Sequence, residues 1–190
     1  MSDKAPNPSL ALATFGNGCF WCTEAIFTRI NGVSHVQSGY SGGQTENPTY
    51  REVCTGQTGH AEVVQITFDP SVVSFESLLR VFFATHDPTT LNRQGNDVGT
   101  QYRSVIFYHN AEQQADAERI IKLLEEAQVF AKPIVTEVQP FKKFFPAEDY
   151  HNQYFASHGH EPYCQLVIHP KVEKFEAVFT EFLKPDHRDA

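Results

Sequence analysis

Apolar positions along the chain change period repeatedly, and each change predicts a new element. Leu10-Ala-Leu-Ala-Thr-Phe15 is a short apolar run that reads as a buried strand and breaks at Gly16-Asn17-Gly18. From Phe20 to Ile30 the spacing becomes three and four, with Phe20, Glu24 or Ala25, Phe27 and Ile30 on one side, and Asn31-Gly32 closes the predicted helix. Val33 to Val36 reads as a strand, and residues 38–60, rich in Gly, Thr, Ser and Asn, read as one long loop of the kind that carries function. Residues 62–68 alternate: Val64, Ile66 and Phe68 share one face, and Glu62 has the parity of that apolar face. Phe75, Leu78, Leu79, Phe82 and Phe83 predict a helix over 74–84, which Asp87-Pro88 stops. A polar loop over 92–100 leads to a strand near 103–109 and a helix near 111–127 lined by Ile120, Ile121, Leu124 and Ala127. A strand at 134–138, a short aromatic helix near 147–155, a strand at 163–168 and a helix striped by Val172, Phe175, Phe179 and Phe182 complete the pattern.

Strands and helices in this order predict an α+β fold, a two-layer α/β sandwich with helices on a mixed sheet, a ferredoxin-like core, extended loops and a coil-rich C-terminal segment. A doubly wound α/β sheet is the rival. No linker or repeat interrupts the alternation, so residues 1–190 are expected to form a single domain, with 1–9 a loose N-terminal lead-in.

Composition narrows the function classes. The formal net charge is −8 and no basic run exceeds Lys142-Lys143, so nucleic acid is not an expected partner. No apolar run approaches the ~18 residues of a membrane span, and the first residues lack an apolar stretch behind a basic start, so a soluble, cytoplasmic monomer is expected. Most of the 16 Phe fall on the core stripes. The four Cys are too few for a disulfide scaffold, and in a reducing compartment such thiols are either packed or reactive.

One segment concentrates chemistry. Gly16-Asn17-Gly18-Cys19-Phe20-Trp21-Cys22-Thr23-Glu24 puts a thiol in the first turn of a predicted helix, where unpaired N–H groups favour a thiolate and predict a lowered Cys19 pKa. Phe20 and Trp21 can wall an apolar pocket beside the sulfur. The residues alone leave open an inert thiol among core rings, and a Cys19–Cys22 pair that cycles between dithiol and disulfide.

Gly18-Cys19-Phe20-Trp21 resembles the signature of the peptide methionine sulfoxide reductase A family. Further blocks resemble that family in order: Gly39-Tyr-Ser-Gly-Gly43 with Asn47-Pro-Thr-Tyr-Arg-Glu-Val-Cys-Thr-Gly56, then Thr58 to Val64, Gly95 to Ser104, and Ala147 to Tyr154. The resemblance implies a peptide-methionine (S)-S-oxide reductase, an antioxidant and protein-repair enzyme acting on free methionine sulfoxide and oxidised proteins. It implies no bound cofactor or metal, and thioredoxin as reductant. Cys19 is then the nucleophile that becomes a sulfenic acid, Glu62 the acid, and Tyr50 and Tyr102 donors to the sulfoxide oxygen. Phe20 and Trp21 hold the S-methyl group, Asp97 anchors the substrate amide, and His151, Tyr150 and His60 are support. Many relatives have Gly where Cys22 stands, so the resolving thiol is open: Cys164, in Pro162-Tyr163-Cys164 of a mobile C-terminal segment, is the first choice, with Cys22 the alternative. Cys54 is expected to be a packed, inert thiol.

Three other classes fit parts of the pattern. A thiol-disulfide oxidoreductase would use Cys19 and Cys22 alone, a zinc module would draw on His151, His158, His160 and Cys164, and an interaction module would use exposed rings.

Overall fold

In the computed structural model, residues 9–188 are described, so the lead-in read at 1–9 lies, but for Ser9, outside the described residues. The chain runs β1 (Ala11–Asn17), α1 (Phe20–Phe27), β2 (Val33–Ser41), α2 (Tyr50–Cys54), β3 (Ala61–Phe68), α3 (Phe75–Ala84), the small hairpin β4 (Arg93–Gln94) and β5 (Asp97–Val98), then β6 (Ser104–Tyr108), α4 (Ala111–Glu126), β7 (Glu137–Pro140), β8 (Phe144–Pro146), α5 (Tyr154–His158) and α6 (His169–Val178). Six strands form one mixed sheet in the order β7-β6-β1-β3-β2-β8, antiparallel except for β6 with β7, and helices cover it, as the α+β reading requires. Among the described residues no helix is long and apolar enough to cross a membrane.

The strand period sorts the core. On β3, Val64, Ile66 and Phe68 join Phe15 of β1 beneath α1 and α3, while Ala61 and Val63 turn to a smaller cluster with Val105 and Phe107 on the other face. Glu62 follows the parity of the first set and is carried under the helices with it, 1% exposed. Phe15 lies fully buried against the rings of Phe27, Phe75 and Phe82, at centroid distances of 5.7, 5.8 and 5.0 Å. Phe15→Ala is therefore expected to cost about 3–5 kcal/mol of stability in urea unfolding, and a loss below about 1 kcal/mol would show that this ring is not central to packing.

Helix starts follow their caps: Ser74 accepts the Ser77 N–H at 3.0 Å and Asn110 accepts the Gln113 N–H at 2.9 Å. Helix α1 ends at Phe27, short of the predicted Ile30, because the next residues turn to the C-terminal segment. The Asn31 N–H donates to the Phe182 carbonyl at 2.7 Å, and Ile30 bridges to Leu183. Nor is α1 amphipathic, since Phe20 and Cys22 to Phe27 are all buried. One side of it lies on the sheet and the C-terminal helices cover the rest.

Two further readings are corrected. Residues 38–60 are not one loop: β2 continues to Ser41, pairing Tyr40 with Glu62 and with Phe145 of β8, and a capping box of Thr49 and Glu52 starts α2. The strand survives its small residues because Gly39 leaves room for the Phe144 ring, which a Cβ there would meet. The predicted strand at 163–168 is instead helical, a π-helical turn over Cys164–Ile168 that runs into α6. Pro170 follows it, lacking an N–H and crowding the carbonyl four residues back, and a wider turn ahead of proline relieves that conflict.

Candidate active site

Strand β1 ends at Asn17, and Gly18 turns the chain with φ of 103°, a conformation suited to glycine, so that Cys19 becomes the N-cap of α1. The Cys19 carbonyl accepts the Cys22 N–H at 3.1 Å. Thr23 fixes the turn by donating its hydroxyl to Asn17 Oδ1 and lying 3.3 Å from the Cys19 carbonyl.

Around this turn the structure gathers Phe20, Trp21, Cys22, Tyr50, Glu62, Tyr102 and Asp97, all singled out by the sequence. The Phe20 N–H points to Glu62 Oε1 at 3.5 Å, and Glu62 Oε2 is buried with no partner. Burial pushes Glu62 up to about 8, so near neutrality it holds a proton. Burial, then the nearby Glu62, also raises Tyr50 and Tyr102, keeping both hydroxyls as donors.

The two thiols behave oppositely. Burial pushes Cys19 well above the ordinary thiol range, with the Cys22 thiol and Glu62 acting in the same direction. The lowered value expected from the helix start is thus overturned in the free site, because desolvation at 8% exposure outweighs the helix N-terminus. Cys22 is lowered, chiefly by its hydrogen bond with Cys19, and further by the Lys171 ammonium of α6 and the Tyr163 hydroxyl.

Rings form the wall. His151, fully buried, has its centroid 4.4 Å from Tyr50 and 5.1 Å from Phe20, and Trp21 stacks on Tyr154 at 3.8 Å and 7°. The indole N–H of Trp21 donates to His151 Nδ1 at 3.1 Å, which places any proton of the neutral ring on Nε2. Burial lowers the His151 pKa, consistent with that neutral form. Tyr150 is 58% exposed and lies over the outer side of His151 at 4.1 Å.

Not every sequence candidate arrives. Cys164 is fully buried on the inner side of the C-terminal helical segment, where burial raises its thiol. Cys54 is exposed rather than packed, at the end of α2. His60 serves the neighbouring turn, accepting the Gly43 N–H at 2.9 Å and meeting the Thr45 carbonyl at 2.7 Å. Among the described residues no three His, Cys, Asp or Glu side chains gather closely enough to hold a metal ion. A groove of about 1120 Å³ between α3, α4 and α6 is lined by none of the gathered residues.

Sequence reading missed three contributors. Glu148 accepts the Tyr50 N–H with both oxygens, at 3.3 and 3.2 Å, and the Tyr40 hydroxyl at 3.2 Å. Glu24, buried and raised to about 7 by desolvation, accepts the Gln153 N–H at 2.6 Å and so ties the segment carrying His151 to α1. Tyr163 donates its hydroxyl to Asp97 Oδ2 at 3.0 Å. Tyr163 had a sequence signal only in standing beside Cys164; Glu24 and Glu148 lie within motif blocks whose pattern does not announce their roles.

A family model described as peptide methionine sulfoxide reductase matches residues 11–183. The peptide methionine sulfoxide reductase MsrA of Saccharolobus solfataricus is 57% identical over 175 residues, 92% of this chain and 98% of that protein. Mxr1 of Saccharomyces cerevisiae in reduced form is 33% identical, with a TM-score of 0.75 over 86% of this chain and 92% of the other. A structure of Mxr1 in complex with Trx2 is similar in fold, with 24% identity and a TM-score of 0.53 over 80% of this chain and 91% of the other.

Proposed function

The chain belongs to the peptide methionine sulfoxide reductase family and reduces methionine sulfoxide, and from that premise we propose that Cys19 is the attacking thiol, Glu62 the proton donor and Cys22 the resolving thiol. The observation that carries the reading is Glu62, a buried carboxyl with one unpartnered oxygen beside a thiol and two tyrosines. A sulfoxide oxygen leaves sulfur only when it is protonated or strongly hydrogen-bonded, and a carboxylic acid held neutral in an apolar wall supplies that proton.

The Cys19 sulfur attacks the sulfoxide sulfur. Glu62 gives its proton to the oxygen, with Tyr50 and Tyr102 donating hydrogen bonds to it, and recovers the proton that the Cys19 thiol sheds. The S–S bond formed in the attack then breaks as the protonated oxygen passes from the methionine sulfur to the Cys19 sulfur, leaving the thioether, methionine, and a sulfenic acid on Cys19. Phe20 and Trp21 take the S-methyl group, and Asp97 accepts the substrate amide. Cys22 then attacks the sulfenic sulfur, forming the Cys19–Cys22 disulfide and releasing water. Thioredoxin, the class of partner named in the yeast complex, returns the disulfide to two thiols as its own dithiol is oxidised.

Cys22 takes the resolving place, in preference to Cys164, on geometry. It stands one turn from Cys19, its N–H bonded to the Cys19 carbonyl at 3.1 Å, and Cys19 lies outside the helix proper with ψ of 123°. Cys164 would first have to leave the core and unwind its helical segment.

The test is Glu62→Gln, read as methionine formed in a single turnover. A slowing of about 10²-fold or more is expected at neutral pH, the ordinary worth of a general acid. In the native enzyme the donor is present below about 8 and is lost as pH rises through that value, so the two rates should converge in alkali. An unchanged rate at every pH would assign the proton to a tyrosine or to water.

A further inference from the structure

Trp21 is the one tryptophan of the chain, and it stands between Cys19 and Cys22 in the first turn of α1. Of the rings around it, Tyr154 of α5 alone lies parallel and in contact, at 3.8 Å between centroids and 7° between planes. Tyr154 in turn stacks with His158 at 4.1 Å and 10°. Two parallel rings at such distances cannot share one face of a phenol, so Trp21, Tyr154 and His158 form a column, each ring half-buried. The Tyr154 hydroxyl donates to Glu161 Oε2 at 2.7 Å, and the Glu161 N–H, donating to the His158 carbonyl at 2.9 Å, turns that acid back onto the phenol. The bond to Glu161 is the main reason that the Tyr154 pKa is raised to about 12, so the resting phenol keeps its proton. The reduction of methionine sulfoxide draws on neither Tyr154 nor Glu161.

We propose that Trp21, Tyr154 and Glu161 form a one-electron relay, a protective activity that carries radical oxidation arriving beside the thiols away to Tyr154. It is independent of which thiol attacks the sulfoxide. A radical oxidant takes one electron from Trp21 and becomes an anion. Tyr154 then gives an electron to the indole while its phenolic proton passes to the Glu161 carboxylate. Trp21 is restored, Tyr154 becomes a neutral radical and Glu161 a neutral acid. A one-electron reductant in solution, a phenol or a thiol, returns the electron to Tyr154, and the proton comes back from Glu161. Stacked faces give the first transfer its electronic overlap, which falls steeply with separation. The acceptor on the hydroxyl supplies the rest, since a phenol that loses an electron is a strong acid and is oxidised far more readily when its proton can leave at the same moment. The indole N–H, which donates to His151 Nδ1 at 3.1 Å, has its own acceptor, so a proton shed by oxidised Trp21 is held on His151 until the electron arrives. Without such a relay the neighbouring thiols are the next electron source, and their oxidation disables the site.

The test exposes the full chain to azide radicals by pulse radiolysis. These oxidise indole in preference to phenol, and a single tryptophan fixes where the oxidation begins. In the native protein the indolyl absorption is expected to decay at a rate independent of protein concentration while the tyrosyl absorption grows in step. Tyr154→Phe keeps the stack but lacks the oxidisable phenol. Glu161→Gln leaves every ring in place, and its amide takes no proton. In each variant the intramolecular transfer is expected to slow by about tenfold or more. After graded radical doses, each protein is compared with its own undosed sample. Both variants are expected to lose methionine sulfoxide turnover and free thiols at lower doses than the native protein.

Unchanged transfer in Tyr154→Phe would overturn the relay by sending the electron through Tyr163 or Tyr50, whose rings stand tilted at 5.9 and 6.4 Å from Trp21. Unchanged transfer in Glu161→Gln would overturn the proton step on which the relay depends, and that variant decides alone should Tyr154→Phe fail to fold. Equal survival of native protein and variants at every dose would overturn the protective role.

Discussion

Cys22→Ser is expected to release one equivalent of methionine and then stop, while Cys164→Ser continues to turn over with thioredoxin. The first step needs only Cys19 and the acid beside it, so losing the resolving thiol leaves it intact and strands the enzyme as a sulfenic acid. Steady-state turnover measured through thioredoxin and its reductase should fall on the order of 10²-fold or more in Cys22→Ser, because the disulfide that thioredoxin must reduce no longer forms at useful rate. Cys164 is 0% exposed, and its removal takes a thiol from the core without touching either sulfur of the proposed disulfide. Its cost should appear as stability, about 1 kcal/mol in urea unfolding for a small buried thiol made polar. The reverse outcome, a full rate from Cys22→Ser and an arrested Cys164→Ser, would restore Cys164 as the resolving thiol and require the 162–178 helical segment to open during each cycle.

Cys19→Ser is expected to abolish methionine formation even in the burst. A serine hydroxyl is nearly isosteric with the thiol but is a far poorer nucleophile toward sulfur and has no accessible anion, so a loss on the order of 10⁴-fold or more follows. The fold should hold, since the turn depends on backbone bonds from Cys22 and Thr23 to the Cys19 carbonyl rather than on its side chain. Burst analysis beside a urea titration separates the two effects. Methionine formation at the native rate by the folded variant would move the attack to another thiol.

Particular residues show how far local pattern reaches. Glu62 could be placed from strand parity alone, because alternation is a property of a few consecutive residues, and the structure puts it on the same buried face as Val64, Ile66 and Phe68. Cys164, Leu166 and Ile168 illustrate the limit. Their alternation suits a strand, yet Leu166 is 78% exposed while Cys164 and Ile168 are fully buried, the four-residue spacing of a helical face. Over six residues an apolar run fits either period, and only what packs against it chooses. Likewise β2 contains Ser38, Gly39 and Ser41, poor strand formers by composition, which pair because β3 and β8 lie ready on either side.

The sequence by itself determined the chemistry available to this protein: a cysteine at the start of a helix after a glycine turn, two rings beside it, an acid with the parity of a buried face, and motif blocks in a family's order. Tertiary structure decided what that chemistry does. It buried Cys19 so that its thiol is pushed up, sent Cys164 into the core, brought Glu24 and Glu148 to hold the walls, and set the Tyr163 hydroxyl on Asp97. The physical reason is one of range. Period, turn and cap are fixed by neighbours a few residues away, whereas desolvation and the choice of partner are sums over side chains that only the folded chain brings together.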